Sequence, residues 1–329
     1  MKKLFFMLAC VAMSVLAMGQ NNQLVWANGR LLYGTPVESI DSLTYDEIED
    51  IDTLHLLLPR TLIKVVHDTV YIHDTVYVET DCGGEGDTPS AGIGVFSVSA
   101  DKQVTFSKGN LQYHPANDEW RFAENQSDYI GNANSNIAAD YNDWIDLFGC
   151  GTGDAPTKSS TSDSDYSTFV DWGTNQIGSD APNTWRTLSY DEWEYLLKNR
   201  PNASSLKGVA QVNGVNGLIF LPDNWTCPAG VTFKSGFHSY WSVEAYGQYQ
   251  TFSAEQWSKL ESAGAVFLPA AGGRNGSGVY NVQDSGCYWS APEYYGGSSA
   301  DCLYFDSVAA FVSYFSRGHG RSVRLVKDL

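Results

Sequence analysis

The sequence predicts an α+β domain built from short strands, two helices and long loops. Apolar and polar residues alternate where this domain begins, at Val95, Phe96 and Val98, which is typical of half-buried strands. Boxes of the form Ser-x-x-Glu/Gln, at Ser189 and Ser253, each precede an apolar stripe and indicate the starts of the two helices. Stretches rich in Ser, Thr, Asp and Gly separate these segments and indicate surface loops.

The N-terminus has the pattern of a secretory signal peptide. Residues 1–19 contain two lysines, an apolar run over 4–16 and small residues before a cleavage point near Gly19-Gln20. The apolar run is too short to cross a bilayer as a helix. A lipoprotein signal at Cys10 is an alternative. We therefore expect an exported chain without a transmembrane segment, located in the periplasm, at the cell surface or in the medium.

Three regions follow the signal. Residues 20–66 form a short N-terminal module, and residues 67–93 hold two copies of His-Asp-Thr-Val-Tyr followed by a Gly-rich linker. The period of six fits an extended strand, so we expect a stalk. A metal site made by His67 and His73 is a poor alternative, because an extended chain separates them by roughly 20 Å. Residues 94–329 form the main domain, which is long enough for one sizeable core.

Composition limits the partners. The formal net charge is −18, and removal of the signal leaves 18 basic and 38 acidic side chains, a net charge of −20. Such a surface repels phosphate backbones, so we expect no nucleic-acid partner. Five cysteines remain after cleavage, which permits at most two disulfides. Cys287 and Cys302 flank one loop and are the candidate disulfide pair. The sequence leaves the oligomeric state open.

The main domain shows no known catalytic motif. It lacks a nucleophile elbow, a His-Glu-x-x-His pair, a P-loop and a dinucleotide fingerprint. Its three histidines are isolated in sequence, so we expect neither a catalytic residue nor a cofactor. Asp163 and Asp165 alternate in a polar loop, which makes them weak candidates for a calcium site. A solvated loop is the alternative.

The segment from Gly286 to Val326 is rich in aromatic residues at regular places. Leu303 and Phe305 take core positions, and strand alternation then turns Tyr304 outward. Aromatic side chains give large contact area at low entropic cost and dominate binding hot spots. We therefore expect a rigid frame that carries a ligand-binding face. The expected contact residues are Tyr295, Asp301, Tyr304, Asp306, Phe311, Ser313, Tyr314, Phe315, His319 and Arg321.

Three motifs resemble a known family. They are Thr-Leu-Ser-Tyr-Asp-Glu-Trp-Glu-Tyr at 187–195, Val-Phe-Leu-Pro-Ala-Ala-Gly-Gly-Arg at 266–274 and Arg-Ser-Val-Arg-Leu-Val at 321–326. Together they look like the C-type-lectin-type fold of the formylglycine-generating-enzyme and sulfatase-modifying-factor superfamily. They are also similar to the Fibrobacter succinogenes major paralogous domain of secreted gut Bacteroidetes proteins. Over residues 94–329 the resemblance implies a C-type-lectin-like domain with short antiparallel strands, two helices and long loops.

Two branches of this resemblance carry different functions. Formylglycine-generating enzymes imply a pair of catalytic cysteines a few residues apart, whereas Cys287 and Cys302 are fifteen apart. Target proteins of diversity-generating retroelements instead vary their C-terminal residues through adenine-directed mutation. The outward positions of this chain, including Cys302 and Ala309, belong to the set of residues that such mutation produces.

These observations lead to one functional expectation. We expect a secreted or surface protein, adhesin-like or receptor-like, that binds a protein or glycan through a variable C-terminal face. One alternative is a formylglycine-generating-type oxidoreductase that uses cysteine thiols. Another is a structural surface component without a discrete ligand.

Overall fold

The computed structural model describes residues 94–292 and 297–329, together with strands between residues 22 and 72. The chain divides into two compact units, Met1–Gly86 and Asp87–Leu329. Each unit is described by itself.

The described strands of the N-terminal unit are β1 (Asn22–Ala27), β2 (Arg30–Pro36), β3 (Leu54–Leu58), β4 (Thr61–Val66) and β5 (Thr69–Ile72). β1 pairs with β2, and β4 pairs with β3 on one side and β5 on the other, always antiparallel. β5 comes from the first copy of the repeat, within the region expected to be a stalk. The second copy and the expected signal peptide, residues 1–19, lie outside the described residues, and the expected domain boundaries stay predictions.

The C-terminal unit is built from short strands joined by long loops. Its described strands are β6 (Phe96–Ser97), β7 (Gln103–Phe106), β8 (Leu111–His114), β9 (Glu119–Phe122), β10 (Lys207–Val212), β11 (Val215–Phe220), β12 (Thr251–Phe252), β13 (Val266–Pro269), β14 (Gly273–Asn275), β15 (Gly278–Tyr280), β16 (Gly286–Trp289), β17 (Ser299–Phe305), β18 (Ala310–Ser316), β19 (His319–Gly320) and β20 (Val326–Asp328). The sheets have the orders β8-β9, β20-β7-β6, β12-β10-β11-β13, β15-β14-β19 and β16-β17-β18. Pairing between these strands is antiparallel except between β10 and β12, which are parallel.

The described α-helices are α1 (Tyr190–Glu194), α2 (Ala245–Tyr249) and α3 (Ala254–Ser262). α1 and α3 begin at the predicted boxes. The Ser189 hydroxyl accepts from the Glu192 N–H, the Glu192 carboxylate accepts from the Ser189 N–H, and Ser253 and Gln256 do the same at α3. α2 was not predicted, because Glu244 before it makes no capping hydrogen bond and leaves no signature. The prediction of a mixed α+β fold with mostly short antiparallel strands is confirmed.

The β16-β17-β18 sheet packs between two hydrophobic cores. Leu303 and Phe305 point into one core, and Trp289 and Cys302 point into the other. A register slip of one residue would exchange the two sets of side chains, so burial on both faces fixes the register. Because a fully buried large apolar side chain contributes about 1.5–3 kcal/mol, these positions hold the C-terminal hairpin firmly.

Candidate ligand-binding face

The hairpin of β17 and β18 brings three of the expected contact residues together. Tyr304 lies opposite Phe311, with 5.3 Å between the ring centroids, and the Phe315 ring lies 5.7 Å from that of Tyr304. At these separations the attraction between rings adds to the stabilisation that comes from burying their surfaces. Phe311 is 38% exposed, and the other two rings are half-buried. These three residues are called the aromatic face below.

Cys302 corrects the prediction that alternate residues of β17 face solvent. Its side chain is fully buried in the second core and forms a disulfide with Cys287 across β16 and β17. The physical reason is that this core covers most of the side of the sheet that alternation marked as outward. Tyr304, on the same side, packs partly against that core, and burial raises the pKa of its hydroxyl.

Arg321 corrects a second expectation, because it is only 6% exposed. Its guanidinium carbon lies 4.9 Å from the ring centroid of Phe315 and 5.5 Å from that of Tyr280. Its Nη2 donates to Nδ1 of His319 at 3.3 Å. The backbone of Arg321 exchanges hydrogen bonds with that of Phe148, which draws the residue inward. Arg321 therefore lies beneath one end of the aromatic face.

His319 is half-buried beside Arg321. A guanidinium has no acceptor, so Nδ1 of His319 is the acceptor here, and its single lone pair is shared between Nη2 of Arg321 and the Tyr280 hydroxyl at 3.0 Å. The proton of the neutral ring is then on Nε2. Burial lowers the pKa of His319, and the neighbouring charge of Arg321 lowers it further. Both effects favour the neutral form of the imidazole.

Asp306 closes the hairpin. Its Oδ1 accepts from the backbone N–H groups of Val308 at 2.9 Å and Ala309 at 3.0 Å, which is the turn geometry that aspartate favours. Ser313 lies opposite Cys302 and is half-buried. Asp306 thus shapes the turn that connects the strands of Tyr304 and Phe311.

Two other expected contact residues lie on the opposite side of the sheet. Tyr314 pairs with Asp301 and is 73% exposed, in phase with Leu303 rather than with Tyr304. Burial raises the pKa of the Asp301 carboxyl. These residues do not join the aromatic face, and Tyr295 lies outside the described residues.

A loop that sequence reasoning missed lies next to the hairpin turn. Its exposed side chains are Tyr240 at 49%, Trp241 at 59% and Val243 at 41%. The backbone N–H of His238 donates to the carbonyl of Ser307 at 2.8 Å, which fixes this loop to the turn between β17 and β18. The available signal was an adjacent Tyr-Trp pair flanked by serines, where polar neighbours leave no core for the rings to enter.

The calcium candidates take part in loop contacts. Oδ1 of Asp163 accepts from the Ser316 hydroxyl at 2.6 Å and from the Gly318 N–H at 3.1 Å, which ties its loop to the end of β18. Asp165 accepts from the Ser160 hydroxyl. Within the part of the chain that the structure describes, no group of three or more His, Cys, Asp or Glu side chains is placed to hold a metal ion. Calcium binding stays a prediction.

Comparisons with known proteins add no assignment. No family model matches the chain, and neither a curated protein nor a solved structure does. Among the described residues, no helix is both long enough and apolar enough to cross a membrane.

Proposed function

We propose that this chain is an exported adhesin-like or receptor-like protein whose C-terminal unit binds a protein or glycan through the aromatic face. The observation that carries the proposal is that the Tyr304 ring contacts both Phe311 and Phe315 on one side of a hairpin, with Phe311 38% exposed. Contacts of this kind supply large area at little cost in side-chain entropy. The cores on the two sides of the sheet hold the rings in place without requiring a ligand.

We propose that the loop at Tyr240 and Trp241 also contributes to binding. Its rings are about half exposed, and its bond to Ser307 keeps it beside the hairpin turn. Exposed aromatic rings rimmed by polar groups are typical of recognition surfaces. The proposal includes a C-type-lectin-type frame and variation of the hairpin positions, because exposed positions such as Phe311 tolerate exchange more readily than the core residues between them.

The proposal predicts that binding depends on Phe311. We expect Phe311→Ala to abolish saturable binding to the ligand found on arrays of immobilised oligosaccharides and proteins, with the melting temperature nearly unchanged. The matched control is Tyr190→Ala, because Tyr190 has the same exposed fraction, 38%, and lies in α1. Tyr304→Ala with Phe311→Ala tests the whole face. Equal loss of binding in the Tyr190 variant, or unfolding caused by Phe311→Ala, would overturn the proposal.

The oxidoreductase alternative makes a different prediction. It requires a reactive thiol, whereas Cys287 and Cys302 are joined and buried. A peptide-oxidation assay with copper, run on the wild type and on Cys287→Ser and Cys302→Ser, separates the two functions. Turnover by the wild type that both substitutions remove would favour the enzyme.

A further inference from the structure

Two buried arginines, one of them in contact with Phe315 of the aromatic face, have no acidic partner among the described residues. Arg274 is 0% exposed and Arg321 is 6% exposed. Across residues 94–292 and 297–329, neither forms an ion pair, and the Nε atom of each is buried without a hydrogen-bond partner. Buried charges in proteins are ordinarily paired, because removing an ion from water is costly.

These two arginines are neighbours. Arg274 of β14 pairs with Gly320 of β19, the residue that precedes Arg321. A Cβ atom at Gly273 would lie 2.3 Å from Nη1 of Arg321, so glycine at this position makes room for the guanidinium. Arg274 has carbonyl partners, since Nη1 donates to Gly276 at 2.7 Å and Nη2 to Leu147 at 3.2 Å. Arg321 therefore has the greater unused donor capacity.

The guanidinium of Arg321 is surrounded by half-exposed aromatic and imidazole side chains. Its hydrogen bond to a side chain goes to the neutral imidazole of His319, and its flat faces contact the rings of Phe315 and Tyr280. Those three neighbours are half-exposed. Asp163, the acidic group that acts electrostatically on His319, already accepts from Ser316 and Gly318. Among the described residues, no acidic side chain forms an ion pair with this guanidinium.

We infer that the aromatic face binds an acidic sugar, with the sugar carboxylate on Arg321 and the sugar ring against Phe315 and Tyr304. The inference rests on the proposed function and narrows its ligand to one chemical class. A guanidinium matches a carboxylate through two parallel hydrogen bonds. Ring faces pack against the apolar face of a sugar, and the Tyr280 hydroxyl and the His319 Nε2–H supply groups that hydrogen-bond sugar hydroxyls.

An acidic sugar fits better than an acidic protein. The chain carries a formal net charge of −18, so its long-range field repels a polyanionic partner. A single carboxylate on an otherwise neutral glycan meets little of this repulsion and gains the local attraction of Arg321. The ring contacts also require a compact, partly apolar ligand rather than a flexible acidic side chain.

The test is a titration of the full chain, followed by calorimetry and saturation-transfer NMR. The probes are the methyl glycosides of glucuronic, galacturonic and N-acetylneuraminic acid, each with its neutral counterpart. We expect at least one acidic glycoside to bind ten-fold or more tightly than its neutral counterpart. Arg321→Met removes this preference, and Arg121→Met, at an exposed arginine stacked 3.7 Å from the Trp144 ring centroid, leaves it unchanged.

Each outcome decides the inference. If Arg321→Met fails to fold, the ratio of acidic to neutral glycoside affinity in the wild type still decides it. Equal affinity within every pair, or no binding of any acidic glycoside, overturns the inference. Tighter binding of N-acetylglutamate amide than of the acidic glycosides overturns the sugar assignment. A ligand whose binding is lost in Phe311→Ala but kept in Arg321→Met would leave the proposed function standing and the inference wrong.

Discussion

Arg186 and Arg321 belong to the same unit and differ in their electrostatic surroundings. Nη1 and Nη2 of Arg186 donate to the two carboxylate oxygens of Glu192 at 2.6 and 2.8 Å, and Nη2 also donates to Asp328 at 2.6 Å. Lys102 adds a further contact to Glu192 at 3.0 Å. Arg321 is more deeply buried, yet its described contacts are with rings and an imidazole.

The contrast is between an arginine whose charge is neutralised by acidic side chains and one that has no acidic partner among the described residues. Arg186 joins the start of α1 to β20, because Glu192 lies in α1 and Asp328 in β20, and its charge is neutralised within the unit. Arg321 makes cation–π contacts, which offset part of the cost of burial but do not neutralise the charge. Among the described residues, no acidic side chain therefore neutralises the charge of Arg321 by an ion pair.

The most direct test of this comparison is a matched pair of substitutions. Arg186→Met leaves the carboxylate of Glu192, whose side chain is 11% exposed, without its strongest partner, and we expect the free energy of unfolding to fall by about 2–3 kcal/mol. Arg321→Met leaves no described carboxylate without a partner, and methionine fills similar space. We therefore expect the free energy of unfolding to stay within about 1 kcal/mol of the wild-type value. Urea denaturation at pH 7 measures both.

A conservative control refines the result. Arg186→Lys keeps the charge but loses the two-pronged contact with Glu192, so its loss of stability should be intermediate. If Arg321→Met destabilises the protein as much as Arg186→Met does, Arg321 is a structural residue and the contrast between the two regions is wrong.

Local sequence signals predicted the parts of the fold that depend on neighbours in the chain. Ser189 and Ser253 marked two helix starts because a capping box is completed within four residues. Leu303 and Phe305 were expected in the core because strand alternation is local, and both are fully buried. Tyr304 and Phe311 come together because a tight turn joins their strands.

The remaining features depend on contacts between distant segments. Alternation assigned Cys302 to a side of β17 but could not show that a second core covers that side. Arg321 is buried because its backbone pairs with Phe148, far away in sequence. Trp241 lies near the hairpin turn because its loop is held at Ser307, and no local pattern encodes that contact.

A second, smaller effect is expected at Asp163, which lies near the region of Arg321. Asp163→Ala removes the acceptor used by the Ser316 hydroxyl and the Gly318 N–H, and we expect the free energy of unfolding to fall by about 1 kcal/mol. Asp163→Asn keeps an acceptor oxygen and should cost less.

Denaturant titrations with calcium chloride and with chelator also test the calcium prediction, since calcium-dependent stabilisation lost in both variants would establish a site there.

The smallest expected effect is a dependence on pH at His319, whose pKa is lowered from 6.5, first by burial and then by Arg321, while Asp163 opposes the shift. Below pH 6.5 the unfolded chain protonates this histidine before the folded protein does, so stability falls as the pH drops. His319→Gln removes that loss. Burial raises the pKa of Asp146 to about 6, so protonation of this carboxyl stabilises the folded state as the pH falls. The effect is the same in the wild type and in His319→Gln, and it cancels in the difference between them.

The measurement for this prediction is the difference in unfolding free energy between the wild type and His319→Gln at pH 7 and at pH 5. The variant should gain on the wild type as the pH falls, by a small amount because the half-exposed ring is screened by solvent. An acidic sugar on Arg321 should reverse the trend, since its carboxylate favours the imidazolium. A difference that is constant with pH would mean that burial and the charge of Arg321 together leave the pKa of His319 unshifted, and this prediction would be wrong.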